Sequence, residues 1–175
     1  MLDLVTDEAV GKDGAAAATF SVDRSHRYLL TRCWDPSGDL LNFLMLNPST
    51  ADHEALDPTI VRCVKRAQQL GYGGLIVTNL FAFRATSPAD MRRAADPVGA
   101  RNDEAIRLGV RNSRATVCGW GNHGAFMDRQ TAVREMLDES SCPAERMWRI
   151  GPANKSGSPK HPLYCSFETA LERHL

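Results

Sequence analysis

Four short stretches hold the polar residues from which a site could be built: Asn47 to Asp52, Asn79 to Arg84, Gly119 to His123, and Asn154 to His161. Asn47 offers an amide that can hold a water or a ligand by donor and acceptor together; the same residue type closes Asx turns at strand ends. Pro48, Ser49 and Thr50 extend that polar turn with residue types that punctuate a chain or bind a ligand. Asn79 interrupts an apolar run at its end, where an amide can read a donor-acceptor edge such as that of a pyrimidine, or can bond a neighbouring loop. Arg84 carries a planar fork suited to phosphate or carboxylate, and equally to an ion pair with Asp57 or Asp103. Asp57 stands before a proline and reads as a helix cap, so Asp52 is the carboxylate left for catalysis.

In "CGWGNHG", Gly119 and Gly121 allow a close backbone approach to a ligand, and His123 beside them is either catalytic or an exposed loop residue. Their spacing fits neither a dinucleotide fingerprint nor a P-loop. Lys155, Ser158, Lys160 and His161 can contact phosphate oxygens or form a solvated loop. No Ser-His-Asp arrangement and no metal-binding motif can be placed, so neither cofactor nor metal is expected.

The elements that must position these groups follow from the apolar pattern. "HRYLLTRCW" and "DLLNFLMLN" flank "DPSGD", which predicts a β-hairpin leading into a buried strand. Asp57 and Pro58 open a helix carrying Ile60, Val61, Val64, Ala67 and Leu70 at helical spacing before Gly71. "GGLIVTNLFAF" reads as a strand covered on both faces. Ser87-Pro88 opens a short helix and Asn102 to Val110 forms another, followed by the strand "RATVCGWG". Phe126, Val133, Met136 and Leu137 mark an amphipathic helix, "MWRIG" a further strand, and "PANKSGSPKHP" a loop. Ser166 is placed to cap a final helix through Arg173.

Alternation of this kind predicts an α/β fold: a three-layer α/β/α arrangement with a mostly parallel central sheet of about four strands, plus the N-terminal hairpin. Ligands in such sheets sit beyond the carboxyl ends of the strands, where Asn47 to Asp52 falls. A chain of 175 residues, 43% hydrophobic, is sized for a single domain, expected over residues 20–175 after a frayed segment 1–19. That segment's alanine run is too short and acid-flanked for a signal peptide.

Twenty-one basic and 21 acidic residues give zero formal charge, so no whole-molecule field favours nucleic acid or a membrane surface. Residues 146–165 nevertheless hold Arg146, Arg149, Lys155 and Lys160 and no acidic residue. Cys33, Cys63, Cys118, Cys142 and Cys165 are widely spaced, which fits reduced, buried thiols. With no apolar run of membrane-spanning length, a cytoplasmic protein is expected. Oligomeric state is left open.

"FLMLNPSTAD", "DPTIVRC", "GYGGLIVTNLFAFRAT", "ADPVGARND", "CGWGNHG" and "GSPKHPLY" together resemble DUF1643, a bacterial and phage family of unknown function, from about Arg27 to Tyr164. A more distant likeness, in motif order, is to the uracil-DNA glycosylase superfamily. There a first strand ends in a water-activating Asp-Pro or Asn-Pro, similar to Asn47-Pro48, and a later one in a base-reading Asn, similar to Asn79. A near-terminal His-Pro loop that contacts the leaving base and the DNA backbone is similar to Ser158-Pro159-Lys160-His161-Pro162.

This second likeness implies that a base is flipped out, Asn79 reads its edge, Asn47 positions a water at the sugar carbon and His161 stabilises the departing base. The implied partner is DNA, RNA or a free nucleotide. Two departures stand out: Leu163-Tyr164 follows His161-Pro162 where that superfamily has a further Ser-Pro, and the iron-sulfur cysteines of some branches are missing. The alternative is a non-catalytic module that binds a nucleotide or nucleic acid in the same pocket.

Overall fold

The computed structural model describes residues 3–140 and 146–174, so Cys142 lies outside the described residues. The chain runs through β1 (Leu4–Gly11), β2 (Gly14–Ser21), β3 (Arg27–Cys33), β4 (Leu40–Met45), α1 (Pro58–Gln69), β5 (Gly74–Asn79), α2 (Pro88–Arg93), α3 (Asn102–Arg111), β6 (Ala115–Cys118), α4 (Arg129–Glu139), β7 (Met147–Ile150) and β8 (Leu171–Arg173). All eight strands join one sheet in the order β1-β2-β3-β5-β4-β6-β7-β8. The α/β class is as expected; the sheet is not the mostly parallel one of about four strands. Three neighbouring pairs are parallel and four antiparallel.

Three local causes account for the difference. Residues 4–21 are not frayed: β1 and β2 pair from Leu4 opposite Ser21 to Gly11 opposite Gly14, and Ala18 and Phe20 anchor the hairpin in the core. Gly14 closes the turn at φ +107°, a conformation that suits glycine. Secondly, "DPSGD" does reverse the chain, but β5 enters between β3 and β4. Gly73 receives the N–H groups of Trp34 and Asp35, both at 2.9 Å, and donates to Asp39 O at 2.9 Å. A Cβ on Gly73 would lie 2.3 Å from Asp35 O, so only glycine lets the turn close this tightly around the incoming strand.

Thirdly, the expected final helix after Ser166 is replaced by β8. Arg66 takes up the Ser166 and Thr169 carbonyls, which a helix would need. Pairing with β7 adds an Arg149–Glu172 ion pair at 3.2 Å and places the Arg173 guanidinium 4.1 Å from the Trp148 ring centroid.

The helices appear where their caps and spacing put them. Asp57 Oδ1 accepts from Ile60 N at 2.9 Å with Pro58 in the first turn, and Ser87 caps α2 in the same manner. Phe126 falls just before α4, in a 3-10 segment (Gly121–Asp128) broken by positive φ at Met127 and Asp128. Alternation along β4 divides the interior in two. Leu41, Phe43 and Met45 meet Ile60, Cys63 and Ala67 of α1 on one face, while Leu44 meets Met91, Ile106, Val110, Val133 and Leu137 from α2, α3 and α4 on the other. Cys63, Cys118 and Cys165 are buried free thiols and Cys33 is half-buried.

His174, just after β8, meets Trp120 edge-on at 5.2 Å between ring centroids, and its shielded Nδ1 has no partner among the described residues. Burial lowers its pKa from 6.5 to about 4, helped by Arg149 and Arg134. The unfolded chain therefore takes up a proton near pH 6.5 that the folded ring refuses until about pH 4. Stability is full above pH 6.5 and falls across that window, by about 1–2 kcal/mol after allowance for solvent. Thermal midpoints measured from pH 7 to pH 4 are expected to fall, and His174→Asn to flatten part of the slope.

Candidate functional site

Beyond the carboxyl end of β4 the ladder with β5 continues, with Leu80 N donating to Met45 O at 2.8 Å and Phe81 N to Leu46 O at 2.9 Å. This extension sets the Asn47 turn against Ala85. Asn47 Nδ2 donates to Ala85 O at 2.8 Å and to Pro48 O at 3.0 Å, and Ala85 N donates to Pro48 O at 2.9 Å. Both amide hydrogens hold the turn. Oδ1 has no hydrogen-bond partner among the described residues and is the atom left for a ligand.

A cleft of about 840 Å³ opens there. Asn47 and Ser49 form one wall, Asp57 and Thr59 at the start of α1 a second, Gly121 to His123 a third, and Lys160, His161 and Tyr164 close it. Asp57 keeps the capping role expected of it, yet only one of its oxygens is used. It is the only carboxylate on the cleft wall among the described residues. His161 Nδ1 accepts from Leu163 N at 3.3 Å, so Nε2 carries the proton of the neutral ring. Burial lowers the pKa of His161, opposed in part by Asp57, and this favours the neutral ring. His123 also lies on the wall, 3.0 Å from the Arg92 guanidinium. Asn122 is held by Asn154 at 3.0 Å and Ser156 at 2.8 Å.

The cleft thus gathers Asn47, Ser49, Gly121, His123, Lys160 and His161 from the sequence candidates and leaves the others elsewhere. The Asp52 carboxylate accepts from Glu54 N and Ala55 N at 2.9 and 2.8 Å, a turn-forming duty. Ala55 N–H is the main cause of its lowered pKa. Pro48 is buried and Thr50 exposed, neither on the wall. Arg84 sits 5.2 Å from the Phe20 ring centroid and donates to Arg24 O at 3.3 Å. Ser158 faces a separate, smaller cavity with Trp120 and Gln130, and Lys155 is exposed away from both. Asn79 is buried, opposite Met45 of the wall in register, with both amide atoms unpaired among the described residues.

Gly119 serves packing. A Cβ there would lie 2.7 Å from Pro162 Cδ, next to His161. Gly119→Ala is expected to cost about 1–3 kcal/mol by overpacking, read as a lower urea midpoint; an unchanged midpoint would return Gly119 to the ligand candidates.

Sequence reasoning missed Arg27, which lines the cleft while only 1% exposed. The register of β2 on β3 shifts between Thr19 and Phe20, and the bulge places Arg27 opposite Phe20 on the face of the sheet that carries α1. The apolar run after Ser25-His26-Arg27 hinted that Arg27 enters a buried strand. Tyr164, also missed, stands 83% exposed at the rim.

Fold and cleft together define an α/β protein with a polar site beyond its strand ends. A match to the family described as Protein of unknown function (DUF1643) covers residues 27–163, and the chain belongs to that family. No curated protein and no solved structure matches it. Among the described residues no helix is long and apolar enough to cross a membrane, and no cluster of three or more His, Cys, Asp or Glu could hold a metal.

Proposed function

We propose that the cleft binds the base and sugar of a nucleotide, free or within nucleic acid, and hydrolyses the N-glycosidic bond. The observation that carries this reading is the meeting of Asn47, Asp57 and His161 on the wall of one cleft, with Asn47 Oδ1 and one Asp57 oxygen free of hydrogen bonds among the described residues and the His161 proton on Nε2. Asn47 Oδ1 accepts a hydrogen from a water and directs its oxygen at the sugar carbon. As the new C–O bond forms, the C–N bond breaks and its electron pair leaves with the base. Asp57, through the oxygen its helix does not use, receives the water's proton. His161 Nε2–H donates to the departing base as negative charge builds there.

Tyr164 at the rim offers a face on which the base can stack. The roles of Asn47 and His161 follow the motif order in which the sequence resembles uracil-DNA glycosylases. Asn79 would read the base edge once Met45 moves aside; a buried amide with neither atom bonded calls for such an explanation. A non-catalytic binding module is the alternative, favoured by the fact that the one carboxylate on the cleft wall among the described residues already caps a helix.

A panel of uracil-containing and other deaminated or modified oligonucleotides, single- and double-stranded, together with free nucleotides, decides between the two. Free base and abasic product, lost in His161→Ala, are expected. Tight binding without product for every member would favour the module.

A further inference from the structure

Arg27 has no counter-ion among the described residues. No ion pair reaches it among the described residues. Nη1 donates to Ala51 O beneath the Asn47–Asp52 turn. Nε is shielded from solvent without a partner, and Nη2 makes no hydrogen bond among the described residues. Burial lowers its pKa to about 10, partly opposed by Asp57, so the side chain stays charged at neutral pH. An uncompensated buried guanidinium is destabilising, and a fold retains one where something else supplies the charge.

The chemistry of the missing partner can be read from the unused atoms. Nε and Nη2 form the edge of a guanidinium that grips an oxyanion through two parallel hydrogen bonds. Lys160, on the same cleft wall, forms no ion pair among the described residues. The positive end of the α1 dipole enters the cleft at Asp57 to Ile60. Nε has no exposed surface and the residue is 1% exposed, so the guanidinium must turn outward to meet a ligand, and only a part of the ligand that ends there can meet it, since a phosphodiester inside a strand would have to carry both flanking sugars to the same point.

We infer that the cleft contains a phosphate subsite in which Nε and Nη2 of Arg27 grip a terminal phosphate, so that the ligand is a phosphomonoester such as a free nucleoside monophosphate. The inference rests on the nucleotide reading for the rest of the ligand, while the grip itself can be tested without it.

The test uses the full chain and calorimetric titration with inorganic phosphate, nucleoside monophosphates, the matching nucleosides and an oligonucleotide lacking terminal phosphate. A monophosphate is expected to bind at least about tenfold tighter than its nucleoside. Arg27→Met should fold with an unchanged or higher thermal midpoint, having lost a buried charge, and should lose that preference. Should Arg27→Met fail to fold, Arg27→Lys, which keeps the charge without the fork, and Lys160→Ala are each expected to weaken monophosphate binding by about tenfold or less. Inorganic phosphate should raise the midpoint of the wild type more than that of Arg27→Lys.

Equal affinity for nucleoside and monophosphate would overturn the subsite, as would monophosphate binding unaffected by Arg27 substitution or a preference for the oligonucleotide. Phosphate preference without base release would leave the subsite standing and remove the proposed hydrolysis; base release from nucleosides as fast as from monophosphates would do the reverse.

Discussion

Asn47→Ala is expected to slow base release by about 10²- to 10³-fold, the loss typical of removing one preorganised polar group from a reacting centre. It should also lower stability by about 1–2 kcal/mol, because the same side chain holds two backbone carbonyls. The two effects come from different atoms, nitrogen fixing the turn and oxygen facing the ligand. Rates are therefore to be compared at a temperature where circular dichroism shows both proteins fully folded. A rate within about threefold of wild type would remove the water-positioning role and leave Asn47 as a turn residue.

Phe43→Ala should produce the largest loss of stability, about 3–5 kcal/mol. Phe43 is fully buried on β4, opposite Val77 of β5 and Val117 of β6, against the face that α1 covers. Domains of this size are typically stable by only about 5–15 kcal/mol, so truncation here removes a large share. β4 ends two residues on and leads into the Asn47 turn, so ligand binding should weaken as well. Urea unfolding measures the change through its midpoint and slope. A loss below about 1 kcal/mol would contradict close packing at this position.

Elements whose signals are local were legible in the sequence. α1 carries its cap, its proline and its apolar spacing within a few residues, and β5 is a continuous apolar run. Where partners from elsewhere decide, the sequence was silent. β1 is mostly exposed and β2 mostly half-buried, so their alternation leaves little hydrophobic trace, and only Ala18 and Phe20 mark the buried side. "DPSGD" announced a reversal without revealing that β5 would pass through it. The residues after Ser166 look like a capped helix until β7 offers an unpaired edge and Arg66 takes the carbonyls.

The site divides along the same line. Asn47, Ser49, Gly121, Lys160 and His161 could be found because polar residues at strand ends converge in this class of sheet. Direction could not: Lys160 and Ser158 lie two residues apart and face different cavities. Asp57 was read as a cap because a sequence does not show that a capping carboxylate also lines a cleft with one oxygen unused. The inward direction of Arg27 was hidden for a related reason, since an arginine at the start of a strand ordinarily points to solvent and here a one-residue bulge turns it inward.

The most direct test of the central claim is a single-turnover assay of free-base release, with wild type, Asn47→Ala and His161→Ala prepared identically and matched for folding. Base release by the wild type, reduced by about 10²-fold or more in each variant, is the result predicted. Release that persists unchanged in both variants, or none from any nucleotide or oligonucleotide that the wild type binds tightly, would contradict it.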